Sequence, residues 1–252
     1  MLKVTGKIFG ILLRKQRHYI PTYGLSRHSG HFTAAITIAT LALMLSGTCA
    51  SAASRDALWG IINNCLDVSA VDYCTLCKLP RTDSACKDIP ECGTRLEIWS
   101  ESSNYIAMKD RKACGCPKEY VHGLAIPRAQ VTGVEDPKRP SGIWEFAWNV
   151  ARQKIGDENS IALAVNPAQQ RSQDQLHIHM VRLKDGARKS FSPLAMVRTE
   201  NLDTVWIRAQ GKAMELNLDR YGVLVARHPD GGFMILVDQN SPEYTYTDAV
   251  CR

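Results

Sequence analysis

Cysteine is concentrated in one short stretch of this 252-residue chain. Seven of its nine cysteines fall between Cys65 and Cys116, and another is Cys251. With Cys49 set apart, the remaining even number favours a disulfide framework in an exported chain. The close pairs in CTLC and CGC would also suit zinc, but their intervals lack the repeated spacing of a zinc ribbon. The sequence therefore predicts a disulfide-stapled N-terminal segment, whose pairing stays open because eight cysteines allow many connectivities.

Residues 1–52 show the order of features that export signals share. They contain six basic residues and no Asp or Glu, then the apolar run AAITIATLALML, and they end in SGTCASA. This order predicts an export signal cut after Ala52, and hence a localisation at the cell inner membrane or in the periplasm. An uncleaved N-terminal membrane anchor is the alternative, although a span usually needs about 18 apolar residues.

The net charge of +6 comes from one part of the chain, residues 1–52. Taking its six basic residues from the 31 Lys and Arg leaves 25, which equals the 25 Asp and Glu of the chain. Residues 53–252 are therefore formally neutral, and the basic pI of the whole chain is no evidence for nucleic-acid binding. We expect no nucleic-acid partner, and the sequence leaves the oligomeric state open.

Residues 53–252 are enough for one domain with a real core. Short strand-like runs such as NYIAMKD, SIALAVN and FMILVDQN are separated by turns, and a hairpin is expected around PDGG. Helical patterns occur in ALWGIINNCL and GIWEFAWNVARQKIG, the second with Ser141 as its expected N-cap and Gly156 as its stop. These runs predict an α+β domain with a mostly antiparallel sheet and flanking helices.

The run QLHIHMV, residues 175–181, contains two of the few histidines after residue 52. In a strand, Gln175, His177 and His179 share one face, while Leu176, Ile178 and Met180 face the core. Such a pair of imidazoles suits a metal site, a catalytic site or simply a solvated strand face. By the same alternation Arg182 faces away from His177, so a structural role for its charge is at least as good a reading as a phosphate contact.

The surroundings of these histidines resemble the histidine-triad superfamily, whose motif is three alternating histidines after a strand and loop with an Asn and a Gln. The closer resemblance is to the bacterial CDP-diacylglycerol pyrophosphatase family. It is carried by HGLAIPRAQVTGVEDP, WEFAWNVARQKIG, SIALAVNPAQQRSQDQLHIHMVR, RYGVLVAR with FMILV, and a Cys near the C-terminus. With Cys65 and Cys74, these pieces span about residues 57–251.

The resemblance implies a histidine-triad-like hydrolase domain over residues 53–252 that cleaves the liponucleotide CDP-diacylglycerol at the membrane surface, in phospholipid metabolism. His177 would be the nucleophile and form a nucleotidyl-histidine, and His179 would contact phosphate oxygens or deliver a proton. Candidate substrate contacts are Asn166, Gln173 and Gln175. No metal or other cofactor is implied, and the sequence shows no carboxylate cluster beside the histidines or glycine-rich phosphate loop.

One departure from the triad concerns its first position, where this chain has Gln175. Gln can exchange hydrogen bonds but cannot titrate, so we expect Gln175→His to be tolerated with activity kept or raised. Two other functions are open at this point: an exported hydrolase or transferase acting on soluble nucleotides, and a non-catalytic nucleotide-binding domain.

Overall fold

The structure is a computed structural model that describes residues 54–87 and 93–251. The expected export signal or anchor in residues 1–52 lies outside the described residues. Within the described residues, none of the helices has both the length and the apolar character needed to cross a bilayer. The five α-helices of the described residues are α1 Ala57–Asn64, α2 Tyr73–Leu76, α3 Ile143–Ile155, α4 Val205–Glu215 and α5 Pro242–Tyr246.

Eight strands of the described residues form a single sheet in the order β1-β2-β3-β5-β4-β7-β8-β6. Every neighbouring pair is antiparallel, which confirms the predicted α+β class. Their bounds are β1 Ile98–Glu101, β2 Tyr105–Lys109, β3 His122–Pro127, β4 Ile161–Val165, β5 Ile178–Arg182, β6 Met196–Thr199, β7 Gly222–Arg227 and β8 Phe233–Asp238.

One face of the sheet is covered by α3 and α4. The apolar stripe of α3, which includes Trp144 and Trp148, packs on inward side chains such as Ile178 and Met180 of β5. Each of those four side chains is at most 3 % exposed, so β5 is locked against the helices through one set of alternating residues. The other set, which carries His177 and His179, is thereby turned to the opposite face.

Two separate covers protect that opposite face. At β2 and β3, α1 and the Cys-rich segment pack on Ile106, Met108, Leu124 and Ile126. At β4, β5, β7 and β8, the segments around Phe191 and around Tyr246 pack on small and branched side chains such as Ala164 and Val181. The histidines of β5 lie on the same face as both covers.

Disulfides hold these covering segments. Cys65–Cys77 and Cys74–Cys86 close the N-terminal segment on itself, and Cys116–Cys251 joins the loop before β3 to the chain end. Cys114 is disulfide-bonded as well. The predicted disulfide stapling is confirmed, and apolar packing of α1 on β2 and β3 also attaches the N-terminal segment to the sheet.

Some local expectations were wrong. Ser141 does not cap α3: the N-cap residue is Gly142, and no side chain caps the helix N-terminus. The stop at Gly156 is confirmed, with a positive φ of 82°, and so is the hairpin in which Gly231 and Gly232 supply positive φ. The sequence patterns did not predict α4, β6 or α5, and α5 matters most because it reaches the histidines.

Candidate active site

The histidine pair lies on the sheet face between the two covers. Strand β5 begins at Ile178, so His177 directly precedes it and His179 is its second residue. The two imidazoles meet edge to face with ring centroids 4.8 Å apart, closer than the roughly 7 Å of alternate side chains along a strand. His177 is 8 % exposed and His179 is 3 % exposed, so a solvated strand face is excluded for both.

His177 is held by its own strand. Its Nδ1 lies 2.7 Å from the backbone carbonyl oxygen of Gln175. A carbonyl oxygen carries no hydrogen, so Nδ1 must donate the proton of this bond and the neutral ring keeps its free lone pair on Nε2. Burial lowers the pKa of His177, more than the Gln175 carbonyl and nearby carboxylates raise it. The ring is therefore neutral at neutral pH, and its Nε2 lone pair has a fixed direction.

His179 belongs to a chain of aromatic and imidazole groups. Its Nδ1 lies 3.0 Å from Nε2 of His122 on β3, and Nδ1 of His122 lies 3.3 Å from the hydroxyl of Tyr120. Two proton arrangements satisfy both contacts. The one in which Tyr120 donates to His122 and His122 donates to His179 is favoured, because it places a proton on each Nε2 that lies near the Glu243 carboxylate. In that arrangement Nε2 of His179 carries its proton.

Glu243 is the carboxylate of this site. It is fully buried at the start of α5, and its oxygens lie 3.5 Å from Nε2 of His122 and 3.2 Å from Nε2 of His179. The second contact has a hydrogen-bond distance but is not aligned as a hydrogen bond. Nε2 of His179 therefore has no hydrogen-bond partner among the described residues. That N–H is thus available to an acceptor such as a phosphate oxygen.

Three groups hold the Glu243 carboxylate in place. Lys112 donates from Nζ to one oxygen at 3.0 Å, and the Asn166 amide donates to the other at 2.6 Å. The Ser241 hydroxyl in turn donates to the Asn166 side-chain oxygen at 2.6 Å. A buried carboxylate needs such compensation, since an unpaired charge would cost several kcal/mol.

The electrostatics of the cluster favour neutral imidazoles. Burial lowers the pKa of His122 and lowers that of His179 further, where the neighbouring His177 and His122 add to the effect. For Lys112, burial opposes the charge, but Glu243, Tyr244 and Asp110 together outweigh it and the pKa is raised. The cluster therefore combines neutral histidines with one ion pair at neutral pH.

The candidate substrate contacts occupy different places. Asn166 lies in the cluster, but both of its amide atoms are engaged by Glu243 and Ser241. Gln173 lies outside it, and its amide binds Ser54, Leu58 and Ser172 backbone atoms, which ties α1 to the loop before β5. The structure thus gives Asn166 and Gln173 protein partners, and their contact with a substrate stays a prediction.

Gln175 is buried behind His177 and clamps the loop after β3. Its amide nitrogen donates to the carbonyls of Pro127 and Ala129, and its amide oxygen accepts from Val131 N. Gln175→His is therefore expected to lose at least one of these hydrogen bonds rather than to be tolerated, because a neutral imidazole has one donor and one acceptor and cannot make all three bonds. Arg182 binds Ser160 and the last carbonyl of α3, which is a structural role.

Asp110, His122 and His179 are the described residues with the geometry to hold a metal ion, since one ligand atom of each lies within 4.8 Å of the others. Imidazole and carboxylate would suit zinc. The same space adjoins the ammonium of Lys112, which is bonded to Glu243 and would repel a second cation. Glu243 and Asp110 bring two carboxylates against that one ammonium, so local charge does not decide whether a cation binds, and no catalytic step is assigned to a metal.

His122, Glu243 and Lys112 were missed by sequence reasoning. His122 begins the HGLAIPRAQVTGVEDP piece of the family resemblance, but that piece was given no catalytic role, and Glu243 and Lys112 are 131 residues apart. The available signal was limited to strand alternation, which places His122 on the same face as Leu124 and Ile126.

Comparison with known proteins decides the family. The family model described as CDP-diacylglycerol pyrophosphatase matches residues 53–217, which is more than half of the chain and includes both β5 histidines. The chain belongs to the CDP-diacylglycerol pyrophosphatase family. This confirms the resemblance to that family, whereas the resemblance to the histidine-triad superfamily stays a prediction.

Two curated relatives carry the same family name. A probable CDP-diacylglycerol pyrophosphatase of Mycobacterium leprae (strain TN) is 33 % identical over 147 residues, which cover 52 % of this chain and 44 % of that protein. The CDP-diacylglycerol pyrophosphatase of Yersinia pestis is 24 % identical over 177 residues, 55 % of this chain and 66 % of that protein. The matches thus span less than two thirds of either relative.

Proposed function

We propose that this chain hydrolyses CDP-diacylglycerol to CMP and phosphatidate through a nucleotidyl-histidine on His177. The observation that carries the proposal is the Nδ1–H bond of His177 to the Gln175 carbonyl, which leaves Nε2 as a fixed lone pair. Family membership supplies the substrate, because both relatives are named for this activity.

The reaction proceeds in two displacements. In the first, Nε2 of His177 forms a bond to the CMP phosphorus, and the bond from that phosphorus to the bridging oxygen breaks, so phosphatidate leaves with the electron pair. In the second, water attacks the same phosphorus and gives up one proton to solvent. The N–P bond breaks with its electron pair returning to Nε2, and CMP and neutral His177 are released. The His179 N–H donates to a phosphate oxygen, where charge develops in the transition state.

The proposed setting is the exported face of the inner membrane, with residues 1–52 as signal or anchor. Disulfides at Cys65–Cys77, Cys74–Cys86 and Cys116–Cys251 support it, because disulfides persist in oxidising compartments. We also propose that the domain is histidine-triad-like, on the basis of the alternating Gln175, His177 and His179.

The decisive experiment incubates the purified full chain with CDP-diacylglycerol in detergent micelles, with and without EDTA, and measures CMP release. We expect CMP and phosphatidate in equal amounts in both conditions, and a denaturation-trapped nucleotidyl adduct on His177. Turnover of a soluble CDP ester with none of CDP-diacylglycerol would instead favour a soluble-nucleotide enzyme. CMP binding without turnover of either substrate would favour a binding domain, and loss of CMP release in EDTA would show that a metal takes part.

A further inference from the structure

A groove of about 440 Å³ runs along α1, a volume within the usual range for ligand sites. One wall is the α1 stripe of Ala57, Gly60 and Ile61, and the opposite wall includes Leu76 and Leu79. The side chains of Ala57, Ile61, Leu76 and Leu79 offer methyl and methylene groups, so the groove suits an apolar ligand.

Two links connect the groove to the histidine cluster. Arg111 lines the groove and directly precedes Lys112, whose Nζ is bonded to Glu243. Ile61, which also lines the groove, belongs to the same apolar cluster as Leu124, and Leu124 pairs with His179 across the sheet. The groove and the histidine cluster are thus joined through Arg111 and through the packing of α1 on β3.

Charge and exposure identify the chemistry of that ligand. Arg111 and Lys78 line the groove together with its apolar walls, which matches an anionic phosphate attached to a hydrocarbon chain. Leu76 is 61 % exposed, and Val71 on the same stapled segment is 85 % exposed. The groove thus opens onto exposed apolar side chains, as entry from a lipid surface requires.

We propose that this groove binds an acyl chain of the lipid substrate, with Arg111 and Lys78 facing the phosphate of the phosphatidate half. This inference rests on the proposed function, since it assigns the lipid end of the same substrate. It gives α1 and the Cys-rich segment a role as a lipid subsite in addition to covering the sheet.

Gly60 allows a sharp test. A Cβ added at Gly60 meets nothing within 4 Å, so Gly60→Leu extends into the groove without a clash at its first atom. Gly211 in α4 is a matched control, because it is also helical and its added Cβ also meets nothing within 4 Å. Leu in place of Gly favours the helix at both positions.

The first measurement is kcat/KM of the full chain for dipalmitoyl and dihexanoyl CDP-diacylglycerol in detergent micelles. We expect Gly60→Leu to lower the ratio of long-chain to short-chain kcat/KM at least tenfold, and Gly211→Leu to leave it unchanged. An unchanged ratio for Gly60→Leu with active wild type would overturn the groove but not the proposed hydrolase. Absence of hydrolysis by wild type would overturn the hydrolase.

The second measurement is independent of turnover. CDP-diacylglycerol with a photoreactive diazirine near the end of one acyl chain is irradiated with the full chain, and labelled peptides are identified by mass spectrometry. We expect label on residues 57–65 and 76–79, reduced by Gly60→Leu. Label confined to α4 or other surfaces would show that the acyl chain binds elsewhere.

Discussion

The Nδ1 atom of His177 donates to the carbonyl oxygen of Gln175 at 2.7 Å. That bond fixes the ring and its tautomer, so that Nε2 is a lone pair with a fixed direction. The bond depends on the position of the Gln175 carbonyl. That position depends in turn on the buried Gln175 side chain, which binds the loop after β3.

His177→Ala is expected to lower kcat more than a hundredfold, because the nucleophile is removed, while the melting temperature changes little. The measurement is CMP release with thermal unfolding in parallel. His228→Ala, in the β7–β8 turn, is the control and should keep full activity. A His177→Ala variant that retains more than about a tenth of the wild-type activity would rule out His177 as the nucleophile, because the barrier would then rise by less than about 1.4 kcal/mol.

Glu243→Gln is expected to reduce kcat more than it raises KM. The change removes the negative charge that lies 3.2 Å from Nε2 of His179 and 3.5 Å from Nε2 of His122, whereas no substrate contact is assigned to Glu243. Glu97→Gln is a matched control, since Glu97 forms an exposed ion pair with Lys109 at 3.5 Å and such pairs contribute little. Steady-state kinetics of both variants decide the question. Equal activity in Glu243→Gln and Glu97→Gln would leave Glu243 without a part in positioning.

Activity is expected to persist below pH 6.5. Only the neutral His177 attacks, and burial lowers its pKa from the ordinary 6.5, so the acid limb of kcat/KM is displaced to lower pH. A profile from about pH 4.5 to 8 measures this. Half-maximal activity at or above pH 7 would contradict a lowered pKa.

Stability is expected to fall as pH drops below about 6.5. His122, His177 and His179 have lowered pKa values in the folded protein, so below 6.5 the unfolded chain binds more protons and unfolding is favoured. Above 6.5 these groups are neutral in both states and add no pH dependence. Urea unfolding at about pH 5 and 7 tests the sign, and His179→Phe should flatten the slope while His228→Ala should not.

Gln175→His is expected to lower the free energy of unfolding by about 1–3 kcal/mol, because at least one buried partner in the loop after β3 loses its hydrogen bond. Activity should fall with it, since the same backbone holds His177. Urea unfolding and kcat/KM across pH measure both effects. Full stability and activity in this variant would support the interpretation that Gln175 replaces the first histidine of the triad without a specific role of its own.

Several features of this protein followed from the sequence alone. The alternation of QLHIHMV put both histidines on the face opposite Ile178 and Met180, because strand side chains point to alternate faces whatever the rest of the fold does. The helices α1 and α3 followed from the spacing of their apolar residues, and the β7–β8 hairpin followed from Gly231 and Gly232. Both depend only on local backbone geometry.

Tertiary structure decided the rest of the site. His122 meets His179 across 57 residues and Asn166 meets Glu243 across 77 residues, separations that no helix or strand period encodes. Lys112 reaches Glu243 because the sheet register and the docking of α5, held near by the Cys116–Cys251 disulfide, bring their loops together. The sequence therefore determined which face carries the chemistry, and packing between distant segments decided which side chains surround it.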